Sequence, residues 1–367
     1  MSRPSFQLEL GQPATIIAAP VPHLTCNVKE GLIVSKIYFD KDVKMTSLRK
    51  KVVGVIGYGN QGRAQGLNLR DSGVKVIVGN RRDAYLKMAE SDGFEAFSIR
   101  EAVSRSDILI IAIPDEIQEQ LYKRHVAPVI RGGQVVCFAS SYGYRFKCVV
   151  PPADVDVIMM SPRAMGVTVR ESFEDGKGVP GFVAVGQDPS GRSLKIALAL
   201  AKGVGCTRAG VVECTFENET DVNLFGEQAL WPLFHEALVL SYEVMVENGI
   251  PPEIALIEFY SSGETSEVFR QIARLGMLRQ APFHSPTSRY GTLSRAEKLP
   301  SRDMKKRMRE VFRGIRNGDF AKEWAAEQAS GYAKFKKLQK RALKHPINKA
   351  ELKVKAISAS PKNFSTK

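Results

Sequence analysis

The chain has 367 residues, 44% hydrophobic and 25% charged, which allows one or two packed domains and suits a soluble globular protein. No apolar run is long enough to cross a bilayer, so a membrane role is not expected. The net charge of +14 raises the question of nucleic acid, but the excess sits late, in Lys305-Lys306-Arg307-Met308-Arg309, in 334–344 and at the end. Apolar residues recur among those charges, as on a solvated helix face, and nucleic acid is not expected as a partner.

Residues 1–33 carry several prolines and lack the charged start and unbroken apolar core of a secretory signal. They read as an extension or adaptor arm. Five widely spaced cysteines (Cys26, Cys137, Cys148, Cys206, Cys214), with no Cys-x-x-Cys, suit a reducing compartment. A cytoplasmic protein is expected. The histidines have no metal-ligand spacing.

From residue 34 strand-like and helix-like runs alternate. Val52-Val53-Gly54-Val55-Ile56 is an apolar run, as a strand buried on both faces requires. It breaks into Gly57-Tyr58-Gly59-Asn60-Gln61-Gly62. In this Gly-x-Gly-x-x-Gly pattern Gly57 permits the turn, Gly59 lets a pyrophosphate approach the backbone, and Gly62 lets the next helix sit against the strand. Further strands are predicted at 74–78, 107–115, 134–140, 155–160 and 181–185, with a charged helix at 83–91. The alternation predicts a Rossmann-type doubly wound parallel sheet over 34–214. Ligands of such sheets bind beyond the carboxyl ends of the strands, which assigns Asn80-Arg81-Arg82, Pro114-Asp115 and Ser140-Ser141 to the cofactor side. The second strand ends without an acid to grip a ribose and is followed by two guanidiniums, so NADPH is expected rather than NADH.

From about residue 215 to 346 helical spacing dominates, at 224–248, 252–263, 266–278 and 303–317, with Gly249 and Gly318 as helix ends. An all-α second domain is predicted, and residues 347–367 read as a basic tail. Asn223 and Glu227 lie one helical turn apart, and Glu258 belongs to the next helix. Carboxylates projected inward from neighbouring helices are how α-bundles hold Mg²⁺.

Ile56-Gly57-Tyr58-Gly59-Asn60-Gln61-Gly62, Ile113-Pro114-Asp115-Glu116, residues 150–159, Thr207-Arg208-Ala209-Gly210-Val211 and Leu224-Phe225-Gly226-Glu227-Gln228 together resemble the short form of ketol-acid reductoisomerase. The resemblance runs from about Lys36 to Ile347. It implies an NADPH-binding sheet domain and a knotted helical domain. It also implies two Mg²⁺ ions driving an alkyl migration before reduction, and at least a homodimer sharing its active site.

Measured against that family, Glu227 and Glu258 are retained as metal glutamates and Ser285 as the substrate-contacting serine. The acid that bridges both metals is Asn223, and the second partner-chain glutamate is Ser262. The active-site histidine is Ser140, and the lysine after Ala-Pro is Arg163. Two dications confronting only two carboxylates are poorly balanced, because hard cations held close together need anionic oxygen. Asp221 and Glu264 lie two residues from the lost positions, about 200° around a helix, and face away. No dinuclear centre is expected, at most one weak ion at Asn223, Glu227 and Glu258, and Mg²⁺ is not expected to be required.

Isomerisation needs the dinuclear clamp, whereas hydride transfer needs chiefly a placed cofactor. The expectation is therefore an NADPH-dependent reductase of a small carbonyl or imine. Its catalytic residues would be Glu227, Glu258, Arg163, Ser140 and Ser285. Arg163 would hold an anionic group, and Glu227 or Glu258, in an apolar pocket, would donate a proton. The alternatives are a genuine ketol-acid reductoisomerase and an NADPH-binding pseudoenzyme.

Overall fold

A computed structural model describes residues 35–296, 298–299 and 302–355. Among the described residues two compact units are distinguished, one holding 35–283 and 302–355 and the other 284–296 and 298–299. The extension 1–33, with Cys26, lies outside the described residues, as does the end of the chain from residue 356.

In the larger unit the first part of the chain alternates strand and helix. The order is β1 (Ile37–Tyr38), β2 (Val52–Ile56), α1 (Asn60–Asp71), β3 (Lys75–Gly79), α2 (Ala84–Ser91), β4 (Glu95–Phe97), α3 (Ile99–Arg105) and β5 (Ile108–Ile111). It continues through α4 (Asp115–Leu121), β6 (Val135–Phe138), α5 (Tyr142–Arg145), β7 (Asp156–Pro162), α6 (Gly166–Glu174), β8 (Gly181–Gln187), α7 (Ser193–Val204) and β9 (Val211–Glu213). The strands form one sheet in the order β1-β9-β8-β7-β6-β5-β2-β3-β4. Alternate side chains feed two cores. Val53, Val55, Ile108 and Ile110 pack on one face with Leu69 and Leu200, and Ile56, Leu109, Ile111 and Phe138 pack on the other with Ala102 and Val103. That two-sided demand explains why β2, β5 and β6 carry no charged or amide residue.

The sheet is parallel from β4 through β7, but β8 runs antiparallel to β7 and β1 antiparallel to β9. The expected doubly wound parallel sheet is present, with these two antiparallel pairings added to it. Strands β1, β4 and β9 have two or three residues each and gave no readable alternation. The strand order reverses between β2 and β5, and this opens a crevice at their carboxyl ends.

The all-α part begins with α8 (Phe216–Phe225), α9 (Trp231–Glu247), α10 (Pro252–Leu256) and α11 (Glu264–Leu275). In the smaller unit α12 (Pro286–Ala296) follows Ser285, whose Oγ accepts the Ser288 N–H at 3.2 Å. The larger unit resumes with α13 (Arg302–Arg316), α14 (Asp319–Ala329), α15 (Ala333–Ala342) and α16 (Ile347–Lys355). The predicted helix 224–248 is instead two helices joined by a π turn at Gly226–Leu230, and 252–263 passes into another at Ile257–Ser261. The tail also starts later than expected. Residues 347–355 form α16, whose Ala350 and Val354 are buried with Leu256, because these apolar residues recur one turn apart. Along α13 Lys305, Lys306, Arg307, Arg309 and Arg313 are exposed, while Ile315 is buried and Phe312 meets Phe225 edge to face.

The four described cysteines are free. Burial pushes the Cys137 and Cys206 thiols up to about 12, as for small core hydrophobes. Among the described residues no helix is long and apolar enough to cross a membrane.

Candidate active site

The turn after β2 is built as its glycines require. Gly57 takes φ +95°, which a side chain would disfavour. A Cβ on Gly59 would meet nothing within 4 Å, so the backbone there is open to a ligand. A Cβ on Gly62 would lie 1.9 Å from the Gly57 carbonyl oxygen, so α1 can approach only because that position is bare. The first turn of α1 closes with Arg63 N–H donating to Gly59 O at 2.9 Å, which leaves the preceding amides at the positive helix end without intrahelical acceptors.

A crevice of ≈ 510 Å³ lies at the switch point. Gly57, Gly59, Asn60, Asn80, Arg81 and Pro114 line it, together with Arg124 and His125. These last two were not singled out from the sequence, since they sit in a π turn, Tyr122–Val126, that no pattern marks. The open glycine, the helix end and the flanking cations fit a dinucleotide.

Several predicted cofactor residues have other duties. The Tyr58 ring is 1% exposed and its hydroxyl donates to Asp92 at 2.9 Å, so only its backbone belongs to the turn. Gln61 donates to Ala164 O (2.8 Å), tying α1 to the loop before α6. Asn80 Oδ1 accepts the Tyr58 N–H (3.2 Å) and its amide donates to Asp83 (2.9 Å), bracing the glycine turn. Arg81 pairs with Asp83 at 2.7 Å but stays 80% exposed, and Arg82 is exposed beside it. Gly62, Arg82 and Ser140 do not line the crevice.

Beyond β5, β6 and β7 lies a polar cluster organised by α8. Glu219, Asn223 and Glu227 recur at four-residue spacing along one face. Glu219 was not among the predicted residues, although that spacing could have found it. It is 3% exposed, and its Oε1 accepts from Arg163 Nη1 at 2.9 Å. Its Oε2 accepts the Ser141 N–H at 3.2 Å and the Ser141 hydroxyl. Arg163 Nη2 donates to Asn223 Oδ1 (3.1 Å), and Asn223 Nδ2 donates to Glu227 Oε1 (2.9 Å). Arg163, Asn223 and Glu227 thus form one chain of bonds from the buried Glu219 to the surface.

Two expectations are corrected by this cluster. Arg163 does not present an unpaired charge to an anionic group, because Glu219 neutralises it. Glu227 is exposed rather than set in an apolar pocket, since it sits in a π turn at the surface of the chain. Glu258, which the resemblance supplies from the partner chain, is exposed in a second π turn. As expected, Asp221 faces away and accepts from Arg316 Nε at 2.8 Å, and Glu264 is exposed. Ser140 is half-buried, 3.3 Å from Asp115 Oδ2.

The residues at the metal position do not suit paired dications. A guanidinium bonds the oxygens of both Glu219 and Asn223, and Asn223 is itself a neutral amide. A second cation there would meet an existing one. Among the described residues no group of three or more His, Cys, Asp or Glu side chains could hold a metal ion.

Residues 47–210 match the family model for the acetohydroxy acid isomeroreductase NADPH-binding domain, and residues 216–359 match that for the ketol-acid reductoisomerase C-terminal domain. The chain belongs to the ketol-acid reductoisomerase family. It is 43% identical to a ketol-acid reductoisomerase (NADP(+)) of Pyrobaculum neutrophilum over 326 residues, covering 88% of this chain and 99% of that one. A Pyrococcus abyssi protein of the same name is 42% identical over 327 residues, 89% and 98% of the two chains. The solved structure of an NADH-preferring ketol-acid reductoisomerase from an uncultured archean superposes with a TM-score of 0.83 at 36% identity, covering 88% and 99%. Family membership establishes an oxidoreductase of the NADP-dependent type, with the Rossmann sheet and helical domain described above.

Proposed function

We propose that this family member is an NADPH-dependent reductase of a small carbonyl or imine in which the metal-driven rearrangement has been lost. The observation that carries the reading is the Arg163 guanidinium bonded to Glu219 and Asn223 where the resemblance puts a metal-bridging acid. NADPH, when bound, supplies the hydride. The chain orients it with the glycine turn and the open end of α1, and holds a polar, partly buried wall beyond β5 and β6.

The second reading is ketol-acid reductoisomerisation itself. The comparisons favour it over the first, since relatives 40–44% identical across most of their length carry that name. The two part on one assay with acetolactate, Mg²⁺ and NADPH. No NADPH oxidation is expected there, with turnover instead on a panel of 2-oxo acids and cyclic imines. Brisk acetolactate turnover would discard the reductase reading, and NADPH binding without oxidation on either arm would leave a pseudoenzyme.

A second copy completing the site belongs to both readings. Its support is the exposed Glu258 and an apolar surface on the helices that includes Trp231, Leu240, Val244, Ile254 and Phe269. Light scattering on the assay sample reads the copy number, and a monomer would remove Glu258 from the site.

For cofactor choice, Arg81 and Arg82 are the proposed grip on the 2′-phosphate, with Asp83 tempering it. Replacing both arginines by alanine is expected to raise KM for NADPH about 10–100-fold, as for lost bonds to a charged group, and to leave that for NADH nearly unchanged. Equal losses for both cofactors would return the pair to an ordinary surface loop.

A further inference from the structure

We propose that Asp115 and Ser140 form the proton relay of the reduction, Ser140 protonating the acceptor while Asp115 restores its hydroxyl. This deepens the reductase reading and rests on it. The two residues leave the carboxyl ends of neighbouring parallel strands β5 and β6, and Pro114 beside Asp115 lines the dinucleotide crevice.

The carboxyl group is oriented. Gln118 Nε2 donates to Asp115 Oδ1 at 2.9 Å and to the Ile113 carbonyl at 3.0 Å. A carbonyl can only accept, so the Gln118 amino group must face this side, and Oδ1 is held as an acceptor. A proton on the acid therefore sits on Oδ2, which is 3.3 Å from Ser140 Oγ.

The surroundings also keep the acid protonated near neutrality. Desolvation pushes its pKa up to about 7, and the charges of Glu219, Glu116 and Glu227 push the same way against the Ser140 hydrogen bond. Tyr142 and Cys148 lie in the segment after β6; burial is the main cause that raises both, and the charge of Asp115 adds to it.

The step balances. NADPH, when bound, would supply the hydride of the new C–H bond, and the C=O electron pair would move onto oxygen. That oxygen takes the Ser140 proton, and Ser140 takes the Asp115 proton as its own O–H breaks. The cofactor is oxidised by two electrons, the acceptor is reduced by two, and Asp115 is left as carboxylate for reprotonation by water. With an imine, nitrogen stands in place of oxygen.

The test measures kcat for 3-methyl-2-oxobutanoate and 1-pyrroline from about pH 5.5 to about 9 at saturating NADPH. The acid must carry its proton, so the rate should fall as pH rises through about 7. Asp115→Asn should lose about 100-fold at low pH and lose that limb, Ser140→Ala should match it in rate, and Asp115→Glu should recover part of the rate with the limb. NADPH affinity and Tm should hold in all three. A D115N variant keeping the wild-type rate or limb overturns the relay. Infrared spectroscopy of the protein without acceptor gives a second readout: a carboxylic-acid carbonyl band that fades through about pH 7 and is missing from D115N. Its absence from the wild type also overturns the proposal. If neither acceptor reacts while acetolactate does, the reductase reading fails by itself and the infrared band still decides the relay.

Discussion

Gly62→Ala is expected to destabilise the protein by about 3 kcal/mol or more and to abolish NADPH binding with it. The added Cβ would lie 1.9 Å from Gly57 O and 3.0 Å from Gly57 C, and 3.2 Å from Val55 Cγ1. The first two are backbone atoms of a turn held at φ +95°, so no side chain can swing aside. Helix α1 would have to lift from β2, carrying the anion-binding amides out of place. Gly59→Ala is the control. Its Cβ meets nothing within 4 Å, so Tm should be unchanged while NADPH affinity falls at least about tenfold, because the methyl enters the space left for the phosphates. Thermal melts beside fluorescence titrations separate the two. Equal melting of G62A and wild type would sink the close-packing argument, and undiminished affinity in G59A would sink the phosphate assignment.

Glu219→Gln is expected to lower stability by about 2–4 kcal/mol, at the lower side of the range for breaking a buried pair because the Arg163 side chain is 30% exposed. The amide keeps the size of the side chain but leaves the guanidinium without its counter-charge. Arg163→Met makes the opposite orphan, a 3%-exposed carboxylate supported by Ser141, whose hydroxyl also meets Thr220 Oγ1 at 2.6 Å. The double variant should recover at least about 1 kcal/mol over the sum of the singles, as for residues that share one bond network. Urea midpoints measure all four corners of the cycle. Strict additivity would mean that the ion pair does not organise the cluster.

What could be read beforehand follows physical lines. The central strands were legible because burial on both faces writes an apolar run into the chain, and the glycine turn because three bare positions have three separate steric causes. The direction of β8 was not, since Gly181–Gln187 has the same composition whichever way it pairs. The π turns at Gly226–Leu230 and Ile257–Ser261 were invisible because one wide turn barely disturbs a helical period, yet they bring Glu227 and Glu258 to the surface. Glu219 was passed over among Glu217 and Asp221 on the same helix, although its spacing from Asn223 and Glu227 marks the shared face; the fold adds that it meets Arg163. Asp115 was visible as part of a motif. Its character as an acid comes from desolvation and from carboxylates distant in sequence, which no local pattern encodes.

Arg163 is a positive charge tethered to the polypeptide. Dialysis cannot strip it, a chelator cannot starve it, and calcium cannot take its seat. For whatever share of the site's polarity it supplies, the supply of free magnesium in the surrounding fluid is irrelevant.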